Sequence, residues 1–177
     1  MKKAAGVVAG ALVLAASVLS GGAVANAAPT HTSWAKVLGA VRIDRNDPTV
    51  GYVRAAYRCY GPDAPHLWVS VKQTADGHKD TAVETEGSGF GHVSATWVQS
   101  HPTDVRCNGR VHEQVFQVNE LETGVDENGV PYGPVGYGSL VKGKAYVQFC
   151  LFGGDGAFVY DYPWVNVRGR DGRGDDD

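Results

Sequence analysis

The feature that most restricts the fold of this chain is a period of two. Apolar residues recur at alternate positions in short runs, and Gly, Pro, Asn and Asp gather between the runs. In an extended chain successive side chains point to opposite faces, so the pattern describes strands with one buried and one solvated face. A helix would need its apolar residues three and four apart. Val37, Val41 and Ile43 share a face before Asn46-Asp47-Pro48 breaks the first run. In the run from Val50 to Tyr60, Val53, Ala55, Tyr57 and Cys59 form the inner face and Arg54 and Arg58 point outward. Leu67, Val69 and Val71 do the same between His66 and Thr74. Further strands are predicted near Ala82 to Thr85, over Phe90 to Gln99 with Val93, Ala95 and Trp97 on one face, and over Val111 to Asn119. The last two are Leu140 to Phe152, with Val141, Ala145, Val147, Phe149 and Leu151 inward, and Phe158 to Val167 around Pro163. Alternation is mixed only between Val111 and Asn119, which predicts a bulge or burial on both sides there. Glu122 to Ser139 is rich in Gly and Pro and is expected to be a long loop without strong regular structure.

Short alternating strands at this spacing predict an all-β fold, an antiparallel immunoglobulin-like β-sandwich of about seven or eight strands. A Cys on the second strand, a Trp on the third and a Cys late in the chain suit that topology. Gln148 stands where immunoglobulin domains place a Tyr, two residues before the second Cys.

The N-terminus has a different character. Lys2-Lys3 leads into the apolar run from Ala4 to Leu19 and then into Ala25-Asn26-Ala27. A charged start, a short apolar stretch and a small-x-small site describe a secretory signal peptide, because a spanning helix needs about 20 apolar residues. The organisation expected is a signal peptide over 1–27, a single domain over 28–168 and a disordered charged tail over 169–177, in a secreted, extracellular protein. Formal net charge is −3, and Lys and Arg are scattered singly among acids. Phosphate binding needs clustered cations, so no nucleic acid is expected as a partner. No later apolar run approaches spanning length, so no membrane association is expected after export.

Arg58-Cys59-Tyr60-Gly61-Pro62, then Leu67-Trp68-Val69-Ser70-Val71-Lys72-Gln73, then Cys107-Asn108-Gly109 and finally Gly143-Lys144-Ala145 carry a resemblance. They resemble small uncharacterised secreted proteins of actinobacteria, in which a Cys ends an early strand, a hydrophobic strand ends in Gln, and a second Cys-x-Gly precedes a later strand. The resemblance covers about 110 residues and implies a β-sandwich and an exported location. It implies no activity.

Three cysteines in an exported chain permit at most one internal bridge. Cys59 lies on an inner face, whereas strict alternation puts Cys150 on the outer face of its strand. In a sandwich the second strand runs antiparallel beside Val111 to Asn119, which brings Cys59 near Cys107. Cys59 with Cys107 is the first expectation, and Cys59 with Cys150, nearer to antibody domains, is the alternative. The remaining thiol is expected to be partly buried and inert, with a Cys150-linked homodimer as the other possibility beside a monomer.

Chemistry-bearing motifs are sparse. His31, His66, His78, His92, His101 and His112 show no metal-binding spacing, and only His92 and His112 are placed to meet across strands. Ser88 sits in Gly87-Ser88-Gly89, without the nucleophile elbow of a hydrolase. Glu84 and Glu86 would share one face of a strand and suit a solvated edge better than a pair of acids flanking a glycosidic bond. Arg173-Gly174-Asp175 and Asp126-x-Asn128-Gly129 are weak motifs in a low-complexity tail and a turn. No metal or cofactor is expected.

The strongest surface signal is aromatic. Trp68, Ser70 and Lys72 point outward from their strand, Tyr146 and Gln148 from a later one, and Phe158, Tyr160 and Tyr162 lie on the last. Trp68, Tyr146 and Tyr160 are therefore the expected binding face for an extracellular protein or polysaccharide, unless the loop from Glu122 to Ser139 covers them. The function expected is a non-catalytic binding module. The alternatives are a small exported hydrolase or metal-dependent enzyme using His92 and His112, and a cell-envelope structural protein cross-linked through Cys150.

Overall fold

A computed structural model describes residues 32–61, 65–86, 93–119, 124–125, 128, 130–132 and 136–169. The signal-peptide reading, the tail beyond Gly169, His31, His92 and Ser88 fall outside the described residues. Ten strands follow in order: β1 (Trp34–Ile43), β2 (Val50–Arg58), β3 (His66–Gln73), β4 (Thr96–Ser100), β5 (His112–Asn119), β6 (Gly124–Val125), β7 (Pro131–Tyr132), β8 (Gly143–Phe152), β9 (Phe158–Asp161) and β10 (Trp164–Gly169).

The alternation of β2, β3 and β8 is borne out residue by residue. Val53, Ala55 and Tyr57 of β2, Leu67, Val69 and Val71 of β3, and Ala145, Val147, Phe149 and Leu151 of β8 join one buried cluster with Phe116, Val118, Val165 and Val167. At its centre the ring of Phe149 lies 6.4 Å from Tyr57 and 5.6 Å from Phe116. Each such side chain, fully buried, contributes roughly 1.5–3 kcal/mol against exposure.

The all-β prediction holds, but the sheet is a barrel and not the immunoglobulin-like sandwich expected. Seven strands run in the order β10-β1-β2-β5-β4-β3-β8, and β8 pairs back to β10. The length of β8 is the physical reason. Its ten residues bind β3 along one edge and the tandem pair β10 and β9 along the other. Pro163 joins the tandem strands; it has no N–H to give a ladder, but its carbonyl accepts from Val147 N–H at 3.0 Å. Val167 to Gly169 then lie parallel to Val41 to Ile43, and this one parallel pairing closes the sheet. The first half of β1 pairs with β2 alone. A bulge at Gly39, with φ +68°, separates the two halves, and the Asp161 carboxylate accepts Val37 N–H at 2.6 Å across the seam.

Other local expectations are corrected. Thr81–Glu84 is a 3-10 helix and not a strand, because the Asp80 side chain accepts Ala82 N–H and caps it. β5 has an unbroken register with β2; Phe116 and Val118 are buried while Val111 and Val115 stay exposed, so it needs neither bulge nor two-sided burial. In β4 it is Val98, opposite Val71, that enters the interior, which turns Trp97 outward and leaves Val93 exposed. Val141 precedes β8 and is exposed. Within the long loop β6 and β7 pair as a short ribbon. Gly169 ends β10 and does not begin the tail.

The disulfide joins Cys59 to Cys107, with Cα atoms 4.5 Å apart. Antiparallel pairing of β2 with β5 brings the end of one strand to the start of the other, as expected.

Candidate aromatic binding face

The outer faces of β4, β3, β8, β9 and β10 lie side by side in fixed register. Trp97 stands opposite Lys72, Lys72 opposite Tyr146, and Tyr146 opposite Trp164. One row further along, Gln99 faces Ser70 and Ser70 faces Gln148; beyond it Trp68 faces Cys150 and Cys150 faces Tyr160, and last come His66, Phe152 and Phe158. This arrangement brings Trp68, Tyr146 and Tyr160 onto one continuous outer surface.

Half of that surface is covered. The chain after β3 folds back over it as a strap. Gln73 fastens the strap's root: its side chain donates to the carbonyls of Val141 and Lys144 and accepts Val141 N–H. Gly77 and Gly143 touch backbone to backbone, and a Cβ on Gly143 would fall 2.4 Å from the Gly77 carbonyl oxygen. Glu84 accepts the indole N–H of Trp164, and Val83 is fully buried although it lies outside the barrel cluster. Lys72, only 1 % exposed, donates to the Glu86 carbonyl and holds its ammonium 4.3 Å from the Trp97 ring centroid. Burial lowers its pKa, and the Glu86 charge partly offsets this. The Glu86 carboxylate in turn accepts the Ser94 N–H and hydroxyl and the Tyr137 hydroxyl, while Tyr137 and Trp97 exchange both backbone hydrogen bonds at 2.8 Å.

The expected face therefore divides. Tyr146 is 7 % exposed, packed against Tyr162 and Trp164, and cannot serve as a contact residue. Its cover is the strap, together with Trp164 and Tyr162, and not the Glu122 to Ser139 loop, of which Tyr137 reaches only Trp97. Trp68 is half-buried, with its indole N–H held by Gln99 at 3.0 Å. Tyr160 is 60 % exposed, and Phe152 and Phe158 beside it are each 46 % exposed.

The exposed rings form one file. Centroids of Phe152 and Phe158 are 4.5 Å apart, of Phe158 and Tyr160 5.5 Å, and of Tyr160 and Tyr162 4.9 Å, with planes 29°, 32° and 32° apart. His66 continues the file beyond Phe152 at 6.0 Å, and His101 lies 5.5 Å past it. Phe152, His66 and His101 were missed as site residues. The signal was present for Phe152, since the alternation that turns Tyr146 and Cys150 outward also turns out Phe152; the pairing of His66 with Phe152 depends on register.

Beneath the file lies Cys150, the free cysteine, 5 % exposed with Sγ 2.9 Å from the Tyr162 hydroxyl. Burial raises its pKa, and the hydrogen bond from Tyr162 lowers it less; Tyr162 is also pushed well above the usual phenol range by burial. Any cross-link through Cys150 first requires the Tyr162 side of the wall to open.

The groups weighed for catalysis are dispersed. Glu84 and Glu86 no longer share a strand face. His112 stacks on Tyr57 at 5.6 Å and contacts Asn108. Among the described residues no three His, Cys, Asp or Glu side chains gather as a metal site. An open hollow of about 670 Å³ borders the strap, lined by Thr74, Asp76, His78, Lys79, Asp80 and Val93 among others. The Asp76 carboxylate there is occupied by the His78 N–H and Thr74 hydroxyl, which lower its pKa. No protein-family model matches this chain, and no curated protein matches it.

Proposed function

We propose that this chain is a secreted, non-catalytic binding module that meets an extracellular macromolecule through the file Phe152, Phe158 and Tyr160, with Trp68 at its flank. One observation carries the reading: three large rings are left exposed side by side on a wall whose neighbouring aromatics, Trp97 and Tyr146, are buried. Exposed aromatic area concentrated in one place usually marks a contact surface. The wall is rigid, because β8 is paired along both edges and the hairpin turn is tied by Gly153 N–H to the Ala157 carbonyl at 2.8 Å. A rigid platform loses little entropy on binding.

The test is retention of the purified protein on culture-derived cell walls, insoluble polysaccharides and immobilised extracellular proteins. Replacing Phe158 and Tyr160 together with Ser should abolish retention while leaving the near-ultraviolet circular dichroism of the fold unchanged. Retention that survives the double substitution sinks the proposal.

A further inference from the structure

The way the rings stack specifies what can sit on them, given the binding face proposed above. Two rings lying side by side in one plane cannot bring their centroids within about 6 Å without overlap of their carbon atoms. The separations of 4.5, 5.5 and 4.9 Å, with planes near 30° apart, therefore place the rings over one another as an inclined stack. Each exposed ring has a neighbour on both sides: His66 and Phe158 about Phe152, Phe152 and Tyr160 about Phe158, Phe158 and Tyr162 about Tyr160. Their faces are turned to each other, and what solvent meets is a row of ring edges together with the Tyr160 hydroxyl.

Faces and edges recognise different chemistry. The face of an aromatic ring is the negative side of its quadrupole, which attracts cations and the C–H groups of a flat sugar; the edge is the positive side and attracts the faces of other rings. Size narrows the occupant further. Rings exposed by 46, 46 and 60 % leave roughly 300 Å² of aromatic surface. A stable interface between folded proteins uses about 800 Å² on each side. A second copy of the chain would leave most of its own contact area unmatched, whereas a short extended segment would be fully engaged.

We infer that the file takes an apolar peptide segment of a partner protein bearing aromatic side chains, whose ring faces settle on the edges of Phe152, Phe158 and Tyr160, and that it takes neither a polysaccharide nor a cationic segment.

Amide chemical-shift mapping on the purified protein tests this with defined probes: a short capped peptide alternating Trp with Ser, the same peptide with Arg in place of Trp, and the oligosaccharides cellohexaose and chitohexaose. The Trp peptide should shift the amides of Phe152, Phe158 and Tyr160. Tyr160→Ala should weaken it roughly 2- to 10-fold, the value of one edge-to-face pair, and Tyr160→Phe should restore it. The Arg peptide and both sugars should leave those amides in place. Shifts along the file from a sugar or from the Arg peptide, equal to or greater than those from the Trp peptide, overturn the inference but leave the binding face standing. If no probe moves the file in a protein with a native spectrum, the inference and the binding face fall together.

Discussion

Opening the Cys59–Cys107 bridge gives the most quantitative check on how the barrel is held. The bridge spans 48 residues of chain. In the loop-entropy model a loop of that size withholds about 4 kcal/mol of freedom from the unfolded chain. Reduction is a cleaner perturbation than substitution, because both sulfurs stay in place and Cys59, fully buried, keeps its packing. Urea unfolding of the oxidised and reduced protein, followed by tryptophan fluorescence, should show the midpoint falling by about 2 M, given a slope near 2 kcal/mol per molar for a domain of this size. The slope itself should rise on reduction, since the unfolded chain expands when the loop is released. The bridged loop contains β3 and β4, which pair with each other, and its ends are already adjacent through β2 and β5. If that pairing persisted in the unfolded ensemble, the bridge would close nothing. A midpoint shift below about 0.5 M with an unchanged slope would therefore refute the loop-entropy account.

Four further outcomes are expected. Cys150 should react with a thiol-specific disulfide reagent at least about a hundredfold more slowly in the native protein than in urea, because the sulfur is covered and its pKa raised; equal rates would place the thiol at the surface. Gly39→Ala should cost about 1–2 kcal/mol, since φ is +68° but the space is open, whereas Gly143→Ala, which meets the Gly77 backbone, should cost more and loosen the strap, as seen by hydrogen exchange at Gly77 and Lys144. Val83→Ala should destabilise by about 2 kcal/mol and alter tryptophan emission, although Val83 lies outside the barrel interior. Tyr57, Tyr137, Tyr146 and Tyr162 all have raised pKa values through burial, so above pH about 10 the unfolded chain loses phenolic protons that the native one keeps, and stability should fall as pH rises; Lys72, shifted downward, works in the opposite sense but is one group against four. Thermal melts between pH 8 and 11 report the sign.

The period-two pattern made the interior legible because burial on one face is a local property of each strand, and Val53, Leu67 or Phe149 needed no knowledge of their neighbours. Closure was illegible for the opposite reason. Whether the edge of β8 meets solvent or β10 depends on a parallel contact between Val41 and Val167, and no local pattern encodes it. The same division runs through the candidate face. Alternation put Tyr146 and Tyr160 on the outer surface correctly, but the strap that hides Tyr146 is held by side chains as distant as Glu84 with Trp164 and Glu86 with Tyr137. The short apolar stretch containing Val83 looked like a strand because a single turn of helix has too few residues to show a helical period.

The pairing of β1 with β10 joins the first and last strands of the described chain. A ribosome or a translocation channel delivers the N-terminal end first, so β1 emerges with one of its neighbours still unmade. Until the last six residues of the sheet arrive, the wall is an open curl with unpaired edges at β1 and β8, and its apolar lining faces water. Such long-range closure is slow to form. The protein is consequently kept in a threadable, chaperone-accessible state throughout its delivery and becomes resistant to proteolysis only in one late step, when β10 docks.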